Sequence, residues 1–368
     1  MSVAVIGTGT VGAMALWRLA ARGVAATGFD TFAPGHDRGA AGGETRIFRT
    51  AYKEGPQYVP LLREARALWT ELERESGQRL LTMTGGATVG RADHPTVQAV
   101  LAAATTHDLP VEVLTGADAA ARLPEHPLGV GEVVVLDPEA GYLRPEPAVI
   151  AAAETAQRGG AQIHRYERVL DVRPDDDGVT VVAEGRTEQF DTVVLAPGPW
   201  AAALTGLPIQ PRRVTSTWFP RRDENLFRPD SCPIAIRVGE HAYSCFPCVD
   251  GLGVKVNIHG GFPAVGSPEE LPRGAEPELL ARVRAAVAAT LPGLHPDPVR
   301  VATYCDGFTP DDHGVLGLLG ERVVVATGFS GHGFKLAPVL GDIVADLVLS
   351  RRTAREIAQL SPTRFSRR

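Results

Sequence analysis

Five basic residues in three distant stretches of the chain have types and spacings that favour chemistry. Arg46 and Arg49 stand three apart at the end of a glycine-dense stretch, a spacing that would place both on one face of a helical turn. Lys255 and His259 stand four apart in a strand-like segment, so both would face one cavity. Lys335 falls in the predicted first turn of a helix, where a cation opposes the helix dipole and is better explained by a ligand. Two such cations brought together would bind an anion strongly, whereas each alone also fits a solvated turn or a structural lysine.

The glycines at the start of the chain predict a second site, for a dinucleotide. The sequence MSVAVIGTGTVG contains Gly7, Gly9 and Gly12, which would permit a tight turn, the close approach of a pyrophosphate and the close packing of a helix on a strand. The helix that follows would present free N–H groups to the phosphates. Asp30 ends the next apolar stretch, roughly 20 residues beyond the glycines, where its carboxylate would accept hydrogen bonds from ribose hydroxyls. An acid at this place predicts FAD or NAD and disfavours NADP.

The composition is that of a globular protein large enough for two domains. The chain has 368 residues, of which 44% are hydrophobic and 22% are charged. Its formal net charge of -6 argues against nucleic acid or an anionic membrane surface as a partner. No apolar run approaches the roughly 20 residues needed to cross a bilayer. Because the chain begins inside its first predicted strand, we expect no signal peptide and a cytoplasmic protein.

The four cysteines predict neither a disulfide framework nor a metal site. Cys232, Cys245, Cys248 and Cys305 are too few to brace a chain of this length. Cys245 and Cys248 form a C-x-x-C, but no second pair completes a four-ligand zinc site. We therefore expect SCFPCVDG to be a strand that runs into a turn.

The periodicity of the chain predicts two interleaved domains in the α/β class. The strand, glycine turn and helix at the N-terminus predict a doubly wound, Rossmann-like domain, and the apolar stretch Thr192 to Trp200 predicts a buried parallel strand with which it resumes. Residues 209–299 suggest an antiparallel sheet with one helix, typical of an α+β substrate domain. The predicted boundaries are 1–80, 141–208 and 300–362 for the dinucleotide-binding domain, 81–140 and 209–299 for the substrate domain, and 363–368 for a solvated basic tail.

Five motifs, in the same order along nearly the whole chain, resemble those of the monomeric sarcosine oxidase family of flavin amine oxidases, which includes N-methyltryptophan and pipecolate oxidases. They are VIGTGTVG, GETRIFRTAY, LAPGPW, KVNIH and GFSGHGFK. The resemblance implies that FAD lies extended across the doubly wound domain, which is then the FAD-binding domain. It also implies that the substrate lies between the isoalloxazine and the antiparallel sheet.

The resemblance further implies a substrate site for an amino acid. Arg49 and Lys335 match the pair that clamps the substrate carboxylate, and Tyr52 and Ser244 match residues beside the substrate. His259 matches the histidine that orients the substrate and tunes the protonation of its amine. The implied reaction is hydride transfer from the carbon next to a secondary amine to flavin N5, which gives an imine. Reoxidation by O2 then gives H2O2, and the expected enzyme is a monomer that needs no metal.

The cofactor contacts are implied in the same way. Arg46 matches a residue that lies against the flavin ring and contributes to catalysis, and Lys255 matches the lysine near flavin N5 that assists oxygen reduction. A fixed positive charge there would stabilise the superoxide formed by the first electron. The full set of predicted cofactor-binding residues is Gly7, Gly9, Thr10, Val11, Gly12, Asp30, Arg46, Val169, Gly198, Trp200, Cys305, Gly331, Gly333, Phe334 and Lys335.

Two positions depart from the family pattern. A cysteine that attaches covalently to the flavin precedes a T-P-D-E-H-like segment in the family, and TYCDGFTPDDH puts Cys305 one position closer to the proline. One residue along a strand turns a side chain to the other face, so either a local bulge restores Cys305 to the flavin or FAD is held noncovalently. Ser244 stands where the sarcosine enzymes carry a tyrosine, while Tyr243 should face away. This departure allows a substrate larger than sarcosine.

Two other functions remain compatible with parts of the sequence. An NAD-dependent dehydrogenase would share the N-terminal glycines, although LAPGPW and GFSGHGFK favour FAD. A flavin dehydrogenase that passes electrons to an acceptor other than O2 would share the whole cofactor site, although Lys255 favours an oxidase. The sequence fixes neither the amine that is oxidised nor the oligomeric state.

Overall fold

The computed structural model describes residues 1–365, which form two large sheets, two small ones and eight α-helices. The strands are β1 (Ser2–Ile6), β2 (Ala25–Asp30), β3 (Arg46–Phe48), β4 (Leu81–Thr82), β5 (Gly86–Arg91), β6 (Glu112–Leu114), β7 (Glu132–Asp137), β8 (Gly141–Leu143), β9 (Gln162–Arg165), β10 (Val169–Pro174), β11 (Val179–Ala183), β12 (Thr187–Phe190), β13 (Thr192–Leu195), β14 (Gln210–Phe219), β15 (Ile234–Arg237), β16 (Tyr243–Cys245), β17 (Val254–Ile258), β18 (Arg300–Phe308), β19 (Val315–Leu318) and β20 (Val323–Thr327). The helices are α1 (Thr10–Ala21), α2 (Val59–Ser76), α3 (Pro95–His107), α4 (Gly116–Arg122), α5 (Pro145–Arg158), α6 (Ala201–Thr205), α7 (Pro277–Thr290) and α8 (Ala337–Ser350).

The first large sheet confirms the predicted doubly wound class. Its six strands run in the order β19-β20-β13-β1-β2-β9, all parallel except the edge strand β19. Successive residues of β1 alternate between two cores: Val3 and Val5 pack with helices α1, α2, α5 and α8, whereas Ala4 and Ile6 pack with the sheet β10-β11-β12. This alternation covers both faces of the central strand, as a parallel sheet requires.

The second large sheet has eight strands in the order β18-β14-β17-β16-β15-β5-β7-β6. It is antiparallel, as predicted, except where β15 and β5 pair in parallel. On β17, Val254, Val256 and Ile258 pack into a core with α7. Lys255 therefore points to the opposite face, toward the first domain.

One predicted domain boundary is wrong. We assigned residues 300–362 to the FAD-binding domain, but β18 pairs with β14 along its whole length, from Arg300 opposite Trp218 to Phe308 opposite Gln210. The segment from 300 to 308 therefore belongs to the substrate domain. Its apolar alternation fits either sheet, and only pairing with a strand 90 residues earlier decides between them.

The segment that carries Arg46 and Arg49 is also not the helical turn that we predicted. Residues Arg46–Phe48 form β3, which pairs antiparallel with β8 in a small sheet completed by β4. Because side chains alternate along a strand, Arg46 and Arg49 point to different sides. They border two different parts of the site for this reason.

The predicted basic tail is only partly described. Pro362–Phe365 forms a 3₁₀ turn in which Arg364 pairs with Asp311 at 2.8 Å, so this part is not a freely solvated end. Residues 366–368 of the predicted tail lie outside the described residues. Among residues 1–365, no helix is both long and apolar enough to cross a bilayer.

Candidate functional site

The cofactor region is a cavity of about 440 Å³ at the carboxyl ends of the parallel strands. It begins at the turn after β1, passes Asp30 at the end of β2, and reaches Arg46 and the segment before α8. Ligands bind at such an edge in doubly wound sheets, where the strand order reverses.

The glycine turn after β1 leaves room for a phosphate. A Cβ on Gly12 would lie 1.8 Å from the Gly7 backbone oxygen, and Gly7 has a φ of 89°. A Cβ on Gly9 would meet no atom within 4 Å in the described chain and would project into the cavity that Gly9 lines. Gly7 and Gly12 thus shape the turn, and Gly9 leaves the space that a pyrophosphate would fill. These residues fit FAD on geometry alone.

Asp30 is buried and held in place at the cavity wall. Its Oδ2 accepts a hydrogen bond from the Thr8 backbone N–H at 2.7 Å, and its Oδ1 accepts one from the Phe32 N–H at 2.8 Å. Oδ2 also accepts from the Thr8 hydroxyl at 3.1 Å, so Oδ1 is the oxygen that keeps a further lone pair for a ribose hydroxyl.

Most of the predicted cofactor residues line this one cavity. The residues that do are Gly7, Gly9, Thr10, Val11, Asp30, Arg46, Val169, Gly198, Trp200, Gly331, Gly333 and Phe334. Gly12, Cys305 and Lys335 do not line it. Gly12 lies behind the turn, and Lys335 follows the cavity wall in the 3₁₀ turn Phe334–Leu336, two residues before α8 begins.

Arg46 and Lys255 meet at a shared backbone oxygen. Thr45 O accepts from Arg46 Nη1 at 2.7 Å and from Lys255 Nζ at 2.6 Å, and Gly43 O accepts from Lys255 Nζ at 2.8 Å. Lys255 is only 1% exposed. Burial, reinforced by the charge of Arg46, holds the pKa of Lys255 well below its ordinary value. The arrangement places a second basic side chain directly behind Arg46, which lines the cavity.

Arg49 and Lys335 converge on the ring of Tyr52. The Arg49 guanidinium carbon lies 5.1 Å from the ring centre and Lys335 Nζ lies 4.9 Å from it. Arg49 Nε and Nη1 are buried and have no hydrogen-bond partner among residues 1–365. Burial lowers the pKa of Lys335 to about 7, with Glu54 opposing the shift and Arg49 adding to it. Buried donors of this kind, left without acceptors, are suited to an anionic ligand.

A carboxylate of the chain itself already touches this cluster. Glu54 Oε2 lies 3.1 Å from Arg49 Nη2, and Lys53 Nζ lies 3.0 Å from Glu54 Oε1. Although burial opposes ionisation, the charges of Arg49, Lys53 and Lys335 lower the pKa of Glu54 to about 2. Glu54 is therefore ionised and balances the Arg49 charge.

Ser244 and His259 form a polar pair beside the cations. Ser244 Oγ lies 2.6 Å from His259 Nε2, and burial together with the charges of Lys53 and Arg49 lowers the pKa of His259 to about 4. The imidazole is thus neutral near pH 7. Tyr243 points away, as predicted, because its hydroxyl accepts a hydrogen bond from Thr290 of α7.

The structure shows on which face of β18 Cys305 lies. The β14–β18 register runs without a bulge, with Cys305 opposite Arg213 and Tyr304 opposite Val214. Tyr304 and Asp306 share the face toward the cavity, where Asp306 lines it and the Tyr304 ring packs on Gly42. Cys305 is fully buried on the other face, and burial raises the pKa of its thiol to about 12.

Three residues with charged or polar roles at the site were not predicted. Glu54 neutralises Arg49, Glu146 Oε1 accepts from the Gly43 N–H at 2.7 Å, and His332 Nδ1 lies 2.9 Å from the Tyr52 hydroxyl. His332 lies within the GFSGHGFK motif, so its place in the sequence marks it as a candidate site residue. The contacts of Glu146 and His332 join segments far apart in the chain and leave no local pattern.

The four cysteines are free and buried in the structure. Within the described part of the chain, residues 1–365, no group of three or more His, Cys, Asp or Glu side chains is placed to hold a metal ion.

Comparison with known proteins gives one family and several relatives over the full chain. The model of the FAD dependent oxidoreductase family (DAO) matches residues 2–347. The monomeric sarcosine oxidase of Streptomyces avermitilis is 38% identical over 99% of this chain and 97% of its own length. The N-methyl-L-tryptophan oxidase of Salmonella enteritidis is 30% identical and covers 98% of both chains.

Solved structures share the fold along the whole chain. NikD, an amino acid oxidase of nikkomycin biosynthesis, superposes with a TM-score of 0.86 at 25% identity, covering 98% of this chain and 97% of NikD. The glycine oxidase of Geobacillus kaustophilus superposes with a TM-score of 0.84 at 22% identity, covering 98% of each chain. The second likeness shows the fold alone.

Proposed function

The chain belongs to the family of FAD-dependent oxidoreductases, and on that premise we propose that it is an oxidase of secondary amino acids, either N-methylated or cyclic. The motif resemblance to flavin amine oxidases is confirmed, and FAD is the cofactor of the family, so the nicotinamide alternative falls away. What remains to be tested is the substrate and the electron acceptor.

The observation that carries the proposal is the buried pair of cations around Tyr52. Arg49 has two N–H-bearing nitrogens without partners, and Lys335 lies on the same ring, so a carboxylate placed there would accept several charge-assisted hydrogen bonds. Such a clamp selects an amino acid over a simple amine.

The neutral His259 supports an amine as the group to be oxidised. An imidazole without charge can accept a hydrogen bond from the amine and does not repel it. The amine must itself be neutral, since its lone pair forms the new C=N bond. Ser244 Oγ fixes one ring nitrogen of His259 at 2.6 Å. Because the small side chain of Ser244 stands beside the substrate position, we propose a substrate that carries a side chain or a ring and is therefore larger than sarcosine.

Lys255 supports O2 as the acceptor. FAD, when bound, accepts the hydride and passes the electrons on. Lys255 is 1% exposed and is held by two backbone oxygens behind Arg46, and in such a buried site a protonated Lys255 would stabilise an oxygen anion more strongly than a cation in solution does. We therefore propose an oxidase that releases H2O2, in preference to a dehydrogenase.

A peroxide assay with sarcosine, N-methyl-L-tryptophan, pipecolate and proline tests this function. We expect peroxide with at least one of the three larger substrates and a lower kcat/KM with sarcosine. Turnover only with an added dye acceptor, and none with air, would replace the oxidase by a dehydrogenase. The absence of turnover with all four substrates under both conditions would refute the substrate class.

We further propose that FAD is bound noncovalently, because Cys305 lies on the face of β18 that points away from the cavity. After acid precipitation the flavin should remain in the supernatant, and the intact mass of the polypeptide should equal that of the bare chain. A yellow pellet with a correspondingly larger mass would contradict this.

A further inference from the structure

A chain of hydrogen bonds links Lys335 to the protein surface through Tyr52 and His332. Lys335 Nζ lies 3.3 Å from the Tyr52 hydroxyl oxygen, which lies 2.9 Å from His332 Nδ1. His332 Nε2 lies 2.6 Å from the backbone oxygen of Asp312, an exposed residue. His332 does not line the cofactor cavity, and none of the roles described above uses it.

The donors and acceptors in this chain follow from its outer end. A backbone carbonyl can only accept, so His332 Nε2 must carry the ring N–H. Burial and the charge of Lys335 lower the pKa of His332 to about 4, so the ring is neutral near pH 7 and Nδ1 offers a lone pair. Burial also raises the pKa of Tyr52 well above its ordinary value, so the phenol keeps its proton and its O–H donates a hydrogen bond to Nδ1. The lone pairs of the Tyr52 oxygen are then left for Lys335.

The same contacts account for two of the three N–H groups of the Lys335 ammonium. One donates to the Tyr52 oxygen, and another donates to the His332 backbone oxygen at 3.0 Å. The third is left for a ligand. A flexible lysine side chain would otherwise sample many orientations, and fixing two of its donors leaves a single direction for the third.

We propose that His332 is a positioning residue for the anion site: by accepting a hydrogen bond from the Tyr52 hydroxyl, it keeps the lone pairs of the Tyr52 oxygen turned toward Lys335. The remaining ammonium N–H of Lys335 is thereby directed at the carboxylate of the ligand. This inference rests on the proposed function only in that the ligand carries a carboxylate. His332 itself touches neither ligand nor cofactor.

The proposal has a consequence for pH dependence. With His332 present, the Tyr52 hydroxyl is engaged and cannot donate to an uncharged Lys335. Without it, the hydroxyl is free to turn and stabilise the uncharged amine, so Lys335 loses its proton at lower pH. The other charged groups that face Lys335 are Glu54, Arg49, Lys53 and Arg46. They are the same in the enzyme with His332 and in a variant without it.

The test uses the FAD-loaded enzyme and two probes, propionate and the uncharged propionamide, titrated against the absorbance of the oxidised flavin. His332→Leu removes the acceptor for Tyr52, His332→Asn places an amide oxygen near the Nδ1 position, and His332→Gln places an amide near Nε2 instead. We expect His332→Leu to weaken propionate binding about tenfold, in line with one lost hydrogen bond to a charged site. The pH above which His332→Leu loses its affinity for propionate should also be lower than in the unsubstituted enzyme. His332→Asn should restore both properties to near the original, and propionamide should bind all variants alike.

A double-mutant cycle separates positioning from general damage. If His332 acts through Tyr52, the variant with Tyr52→Phe and His332→Leu should bind propionate no more weakly than Tyr52→Phe alone. Additive losses, or a His332→Leu enzyme that binds propionate as the original does, would overturn the proposal. If His332→Leu does not fold, His332→Gln takes its place with the same expectations, since it retains the bond to Asp312.

The outcome does not depend on finding the substrate. If the enzyme binds propionate with the dependence on His332 described above but oxidises no secondary amino acid, the proposed substrate class is disproved and the role of His332 stands. An original enzyme that binds propionate no better than propionamide has no carboxylate clamp, and the role of His332 would fall with it.

Discussion

The cofactor cavity and the cation cluster beside it differ in the kinds of residue that form them. The cavity is lined mostly by glycines, apolar side chains and backbone groups, and it has about 440 Å³ of space. The cluster consists of ionisable side chains, of which Arg49 and Lys335 are buried and Glu54 and His259 are half-buried, and Glu54 already neutralises Arg49. One region therefore works through its shape, and the other works through its charge. Substitutions should divide accordingly: those that add volume should impair the cavity, and those that change charge should impair the cluster.

The largest effect should follow a change of shape at Gly12. Because a Cβ there would lie 1.8 Å from the Gly7 backbone oxygen, we expect Gly12→Ala to cost more than about 4 kcal/mol and to leave little folded protein. Thermal unfolding of the apoprotein measures this. Gly274→Ala is the matched control, since its Cβ meets no atom within 4 Å in the described chain, and its stability should stay within about 0.5 kcal/mol. Equal melting temperatures for both variants would remove shape as the basis of the cavity.

Lys255 should give the next largest effect, on one half-reaction only. Lys255→Met keeps the volume but removes the amino group that would carry positive charge behind Arg46, so oxidation of the reduced flavin by O2 should slow on the order of 10² to 10³-fold. Stopped-flow absorbance measures this step, and anaerobic reduction by substrate is the control, which should change little. Similar slowing of both steps would assign Lys255 to another role.

Removing the Lys335 charge should mainly weaken substrate binding. We expect Lys335→Ala to raise KM by on the order of 10 to 100-fold, as the loss of a charge-assisted hydrogen bond in a buried site would. Propionamide binding should not change, because that probe carries no charge. A variant whose KM is unchanged for every active amino acid would rule out the clamp.

The pH dependence of anion binding should follow Lys335. Its pKa is about 7 in the ligand-free protein, so its positive charge is present below pH 7 and is lost as the pH rises through that value. Propionate affinity should therefore fall above pH 7, by at most about tenfold per pH unit. Lys335→Arg keeps its charge at all these pH values and should abolish the decline. His259 is already neutral in this range, so it adds no transition.

The smallest effect should come from Glu54, which competes with the ligand for Arg49. Glu54→Gln should tighten propionate binding by about threefold to tenfold, and it should lower the melting temperature because Arg49 loses its buried partner. Lys53→Gln is the control, since Lys53 touches the same carboxylate but its side chain is 39% exposed. Weaker propionate binding in Glu54→Gln would mean that Glu54 assists the ligand.

The sequence predicted the cofactor region better than the cluster, for a physical reason. Gly7, Gly9, Gly12 and Asp30 act through local backbone geometry, and nearby residues determine it. The strand and helix predicted on either side of the glycines are found as β1 (Ser2–Ile6) and α1 (Thr10–Ala21), and Asp30 ends β2 as expected. The local sequence suffices there because the three glycines determine the turn between an apolar strand and the helix that follows it directly.

The errors all involve pairing between distant segments. Arg46 and Arg49 fit a helical turn by spacing, but Arg46–Phe48 pair with β8, about 95 residues later, and form a strand instead. The segment from 300 to 308 has a strand pattern that fits either domain until β14 selects one. His332 was overlooked although its motif was recognised, because its partner Tyr52 lies 280 residues away. Propensity and periodicity carry no information about such partners.

The grip on Lys255 has a consequence for how this region tolerates change. Its two hydrogen-bond acceptors are the main-chain oxygens of Gly43 and Thr45, on either side of Glu44, whose φ is 69°. Exchanging the side chain of Glu44 or Thr45 does not delete a peptide oxygen, so these two positions can change in chemical character while the lysine keeps its partners. Only a new backbone path, such as an inserted or deleted residue, would release it.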